Sequence, residues 1–219
     1  MCIRDRCVSE SDGPRSVKIG ADERTGWSSE RPRRANQPER PPDISVRCKV
    51  LRPSEEIRYS PGSLLLIASA SQADREALAE RVVEQKGALL STGKVRGLLA
   101  GRVPDEEMDA RVAELLPAAA AKRLGANEST VVVTNALHPE ERERLARIAA
   151  EARRPRHLIL VETARANVSE DDLAPLNELR RRHDAGELGA EGFDTALRLG
   201  GDSIGELKRI VFRPPPRDD

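Results

Sequence analysis

Short apolar runs that alternate with stretches of helical spacing constrain this chain more than any other feature. Leu64–Ala68 is apolar at every position, as a strand buried on both faces would be. Thr130–Thr134 is β-branched throughout, and 88–90, 157–161 and 207–212 supply further short runs. Between them, 73–85 places Leu78, Val82 and Val83 on one helical face, and 105–124 does the same with Met108, Val112, Leu115 and Leu116. The segment 95–99 reads as a further helix, Gly125 as a helix end, and Pro139 as the first turn of a helix carrying Leu145 and Ile148. Ser169 is placed to cap a helix running to about His183, with Asp172 at its third position, and 193–199 reads as a short helix before the last strand. Such alternation predicts an α/β fold: a parallel sheet flanked by helices, because parallel strands need crossover connections. Leu64–Ala68 is expected at its centre. Ligands of such sheets bind beyond the carboxyl ends of the strands, which directs attention to the loops after Ala68, Leu90, Thr134 and Glu162.

Outside this region the chain reads differently. Residues 1–43 are polar and dense in Arg, Pro and Ser, without apolar period, and are expected to form a disordered tail. Residues 1–6 resemble the translated read-through of a sequencing adapter and are excluded from fold reasoning. Ile44, Val46, Cys48 and Val50 alternate with polar residues, predicting an extra strand or hairpin within 44–59 before the domain at 60–213 and a tail at 214–219. Basic and acidic residues balance at 37 each, which gives no electrostatic reason to expect nucleic acid or an anionic membrane as partner. Aromatic content of 2% leaves no stacking platform for single strands. The three cysteines lack zinc-site or disulfide-framework spacing, and no apolar run approaches a membrane span, so a reducing cytoplasmic setting is expected.

The chemistry rests on the stretch Ser69-Ala-Ser-Gln-Ala-Asp-Arg-Glu76, which follows the first strand and opens the first helix. With Leu90-Ser-Thr-Gly-Lys-Val-Arg96, Val132-Val-Thr-Asn135, Pro139-Glu-Glu-Arg142 and Ala190-Glu-Gly-Phe-Asp194 in that order, residues 61–212 resemble the polynucleotide-kinase-like P-loop kinases. The resemblance implies a phosphate loop at Ser69, Ser71, Asp74, Arg75 and Glu76, and a substrate-binding group of Lys94, Arg96, Thr134 and Asn135. It also implies several departures. A phosphate loop uses glycine backbone, a lysine and a hydroxyl that holds Mg²⁺; here Asp74 stands at the last glycine, Arg75 at the lysine and Glu76 at the hydroxyl. Gly93 falls where the family has an acceptor-activating carboxylate, Val132 where it has Asp, and only residues 163–167 remain of its arginine-rich lid.

Read from the residues alone, Ser71 caps the helix, Asp74 satisfies another first-turn donor, and acidic groups suit the helix dipole. Thr134 and Asn135 read as strand-end and turn residues, and Lys94, Arg96, Arg180, Arg181 and Arg182 as solvated helix charges. No catalytic residue, metal ligand set or cofactor is assigned. The expectation is a kinase-like domain that binds a small molecule or protein without ordinary ATP-dependent phosphotransfer; the alternative is a divergent kinase using ATP with Mg²⁺, in which Arg75 holds phosphate and Glu76 or Glu162 recruits metal.

Overall fold

The computed structural model describes residues 42–214. The expectations for the tails therefore fall almost wholly outside the described residues. Six strands form one parallel sheet: β1 (Lys49–Val50), β3 (Leu64–Ala68), β4 (Leu89–Ser91), β5 (Thr130–Thr134), β6 (Arg156–Val161) and β7 (Thr195–Leu199), in the order β1-β7-β6-β3-β5-β4. A separate two-stranded parallel ribbon pairs β2 (Glu56–Tyr59) with β8 (Arg209–Phe212). The helices are α1 (Gln72–Val82), α2 (Thr92–Leu99), α3 (Asp105–Gly125), α4 (Pro139–Glu151), α5 (Glu170–Asp184) and α6 (Ser203–Glu206).

The central strand β3 is apolar at every position because both its faces are covered. Leu65 and Ile67 join Val131, Val133, Ile159 and Val161 under α1 and the β2–β8 ribbon, through Leu78, Val82, Tyr59 and Phe212. Leu64 and Leu66 face the other way, with Val132, Leu158 and Leu160, into a layer filled by Leu116 and Leu124 of α3, Leu145 of α4 and Leu176 of α5. Fully burying each such side chain is worth about 1.5–3 kcal/mol, so the aliphatic layers hold the fold with few aromatic residues. Leu115, expected on the buried face of α3, is instead 42% exposed. Among the described residues no helix is long and apolar enough to cross a membrane.

One expectation is corrected and another is made more specific. The short helix at 193–199 is strand β7, paired with β6 on one side and β1 on the other. Phe193, Ala196 and Leu199 fit a helical period, but Ala196, Leu197 and Leu199 are all fully buried, which a five-residue strand covered on both faces achieves. The stretch 44–59, expected to hold an extra strand or hairpin, holds two short strands, Lys49–Val50 at the sheet edge and Glu56–Tyr59 in the ribbon, which pair with β7 and β8 and not with each other. Ile44 and Cys48 do pack on the core, but Val46 N–H donates to Gly189 O (2.9 Å), in a 3₁₀ turn that offers no continuous ladder. Gly189 is required there, since a Cβ would lie 2.0 Å from Val46 O.

Candidate functional site

The carboxyl ends of β3, β4, β5 and β6 bring Ser69, Thr92, Asn135 and Thr163 to one edge of the sheet. Only Ser69, Ala70 and Ser71 separate β3 from α1, so the connection is a tight turn and not a loop wrapped around a ligand-sized space. Its polar groups bond to one another. The Ser69 and Thr163 hydroxyls lie 2.9 Å apart, and both accept from the Ser71 amide, at 3.3 and 3.2 Å. Ser71 caps α1 as expected, its hydroxyl accepting from the Asp74 amide at 3.2 Å. Asp74 itself is exposed, and the bond to a first-turn donor expected of its carboxylate is not among the contacts it makes.

Arg75 and Glu76 turn inward. Arg75 is 6% exposed; its Nη1 donates to Ser69 O at 3.0 Å, Nη2 reaches Thr92 Oγ1 at 3.5 Å, and Nε is buried with no hydrogen-bond partner among the described residues. Burial pulls its pKa down, against the opposing charges of Glu76 and Asp172. The Glu76 carboxylate accepts from the Gly93 amide at 3.0 Å and so closes the first turn of α2, whose cap is Ser91. A Cβ at residue 93 would lie 2.3 Å from Glu76 Oε1. The carboxylate missing at 93 and the one gained at 76 are therefore one arrangement: the side chain from α1 fills the space a side chain from α2 would need.

This coupling predicts a double-mutant cycle. Gly93→Asp is expected to cost about 1–2 kcal/mol, chiefly by placing like charges together and by breaking the bond from the Gly93 amide, since the carboxylate at the end of the flexible Glu76 side chain can move aside. In a Glu76→Ser background the same change is expected to be nearly neutral, a coupling of about 1–2 kcal/mol measurable by denaturant unfolding of the four chains. Additive effects would show that the two positions are independent.

The four residues expected to bind substrate are not brought together. Arg96 and Thr134 line a cleft of about 260 Å³ between α2, α3 and α4, with Thr92, Asp109, Glu141 and Arg144 as its other polar groups and Val112, Leu116, Pro117 and Leu145 as an apolar wall. Arg96 pairs there with Asp109. Lys94 points elsewhere, to Glu80 at 2.6 Å. Asn135 shapes the turn after β5: its Oδ1 accepts from the Leu137 amide and its Nδ2 donates to Asp172, both at 3.3 Å, beside Ala136 at φ 46°.

No family model matches the sequence, and no curated protein does. Among solved structures the chain is similar to a presumed kinase from Chloroflexus aurantiacus, with 16% identity and a TM-score of 0.39 over 64% of this chain and 85% of that one. It is also similar to APE1195, with 18% identity and a TM-score of 0.41 over 67% and 90%, and to a gluconokinase from Sinorhizobium meliloti 1021, with 15% and 0.40 over 68% and 89%.

Sequence reasoning missed two charged clusters. Arg180, read as a solvated helix charge, donates from Nε to both Glu162 oxygens, at 3.1 and 2.9 Å, and Arg198 Nε donates to the same carboxylate at 2.6 Å. Burial pushes the Glu162 carboxyl up, but the two guanidinium groups outweigh it and hold the pKa below the usual range. Arg142 and Glu191 form the second cluster. They are 1% and 0% exposed and are joined by a two-pronged ion pair, to which Arg182 adds a second guanidinium. These partners lie 49 and 9 residues apart, so no local spacing announces either pairing.

Proposed function

We propose that this chain is a degenerate P-loop kinase-like domain that binds a small ligand or a partner and does not carry out ordinary Mg²⁺-ATP-dependent phosphotransfer. The observation that carries this reading is the hydrogen bond from the Gly93 amide to Glu76. A metal-holding phosphate loop needs a short hydroxyl at this position and open backbone amides before it. Here a carboxylate is spent on a neighbouring helix, the Ser71 amide is taken by two hydroxyls, and the Arg75 guanidinium is turned onto Ser69 O. These residues do not fit a magnesium nucleotide. The alternative role for Glu162 is disfavoured in the same way, because its oxygens are held by Arg180 and Arg198.

The ligand-binding half of the reading rests on the cleft beside Thr134. A space of about 260 Å³ with an apolar wall and paired charges at its rim suits a small molecule with an apolar body and polar ends. Arg75 connects this cleft to the turn after β3 through Thr92. Titration of the full chain with Mg²⁺-ATP tests the reading, and no stabilisation is expected.

A further inference from the structure

We propose that a second cleft, at the amino-terminal edge of the sheet and remote from the candidate site, binds a multivalent oxyanion of the diphosphate class through Arg153, Arg154 and Arg156. The cleft has a volume of about 510 Å³; the segment 43–46 forms one wall, and the end of α4 with the start of β6 forms the other. Three arginines, Arg153, Arg154 and Arg156, and two aspartates, Asp43 and Asp194, are among the residues that line it.

Both carboxylates are already engaged by backbone. Asp194 Oδ2 accepts from the Arg156 amide at 2.7 Å, and Asp43 Oδ1 accepts from the Ser45 amide at 2.9 Å. Arg156 is 8% exposed, its approach to Asp194 is a long 3.9 Å, and its Nε is buried with no hydrogen-bond partner among the described residues. A buried Nε with no acceptor beyond a carboxylate at 3.9 Å favours an anionic ligand, and the planar fork of the guanidinium suits phosphate oxygens. Arg153 is exposed and has no acidic partner among the described residues, while Arg154 donates from Nε to Leu124 O at 3.3 Å.

The end of α4 does not need these side chains as caps. Its last carbonyls accept from the amides of Ala152, Arg153 and Arg154, at 3.2, 2.9 and 2.8 Å. Two linked phosphate groups span more of the cleft than one, so the diphosphate unit, rather than single phosphate, is the chemistry that three arginines along one wall match.

Arg153 provides a clean test because its φ is 56°, the left-handed region that glycine adopts without strain. Arg153→Gly removes the charge while keeping or improving stability. The experiment is calorimetric titration of the full chain with sodium pyrophosphate, beside orthophosphate and sodium chloride at matched ionic strength. Pyrophosphate is expected to bind with a dissociation constant of about 0.1–1 mM, orthophosphate more weakly, and Arg153→Gly to weaken pyrophosphate about ten-fold with an unchanged or raised unfolding temperature. No heat beyond the chloride control, or the same affinity in Arg153→Gly and Arg153→Glu as in the wild type, would overturn the proposal. Neither result bears on the cleft beside Thr134.

Discussion

Replacing Glu191 with alanine is expected to destabilise the fold by about 3–5 kcal/mol, the effect of stranding buried charge. Glu191 is fully buried and receives Nε and Nη2 of Arg142, the latter at 2.7 Å, while Arg142 Nη1 donates to Ala136 O and Leu137 O at 3.1 and 2.6 Å. The pair thus ties the start of α4 and the turn after β5 to the 3₁₀ segment Glu187–Glu191 that leads into β7. Loss of the carboxylate leaves the Arg142 guanidinium, 1% exposed, with backbone carbonyls as its remaining acceptors and no opposing charge among those bonds. For a domain of this length the unfolding temperature should fall by about 10 °C or more. A double change, Arg142→Met with Glu191→Leu, is expected to recover much of the loss, since well-packed apolar groups replace buried pairs at little cost. Denaturant unfolding of the three variants measures both effects; a loss under about 1 kcal/mol for Glu191→Ala would show that the pair is hydrated and contributes little.

Stability is also expected to fall as the pH drops below about 6.5, because His157 is buried neutral. Its ring stacks on Tyr59 at 4.1 Å between centroids, its Nδ1 lies 2.9 Å from Thr195 Oγ1, and burial lowers its pKa to about 4, only partly opposed by Asp194. Above 6.5 neither the folded nor the unfolded chain protonates this residue, and its contribution is constant. Between 6.5 and 4 the unfolded chain takes up the proton and the folded chain does not, so unfolding becomes easier by up to about 1.4 kcal/mol per pH unit, about 3 kcal/mol in all. His157→Phe keeps a ring against Tyr59 and removes the titration. Unfolding free energies measured from pH 7 to 4.5 should slope in the wild type and flatten in the variant; equal slopes would assign the acid sensitivity to other groups.

The parallel sheet was legible because its strands carry their burial in composition. A run such as Leu64–Ala68 or Thr130–Thr134 has few alternatives to a strand covered on both faces, and Ser71, Ser169 and Pro139 mark helix starts by local chemistry. β7 was not legible, since five residues with apolar positions three apart fit either period and only the neighbouring strands decide. β2 lies within the stretch expected to hold an extra strand or hairpin, but its position and partner were not legible: Glu56 and Arg58 alternate with Ile57 and Tyr59 over only four residues, and β8 lies at the other end of the domain. At the candidate site, the identity of each departing residue was readable but its partner was not. Glu76 and Gly93 are separated by a helix and a strand, and their mutual exclusion appears only when α1 and the start of α2 lie side by side. Lys94 and Asn135 were grouped with Arg96 and Thr134 through the family resemblance, yet one turn of α2 and the bend after β5 carry them away from the cleft.

The most direct test of the central claim is a thermal-shift titration of the full chain with Mg²⁺-ATP to millimolar concentration, beside the triple variant Asp74→Gly, Arg75→Lys, Glu76→Ser. A nucleotide at 100 times its dissociation constant stabilises by about 2.7 kcal/mol, a rise of about 5–10 °C for a domain of this length. The wild type is expected to show no rise, because the Glu76 and Arg75 side chains and the hydroxyls of Ser69 and Thr163 already occupy the donors and space a phosphate would take. A Mg²⁺-dependent rise in the wild type, abolished by Arg75→Ala with folding intact, would contradict the account by showing that the turn after β3 still holds a magnesium nucleotide.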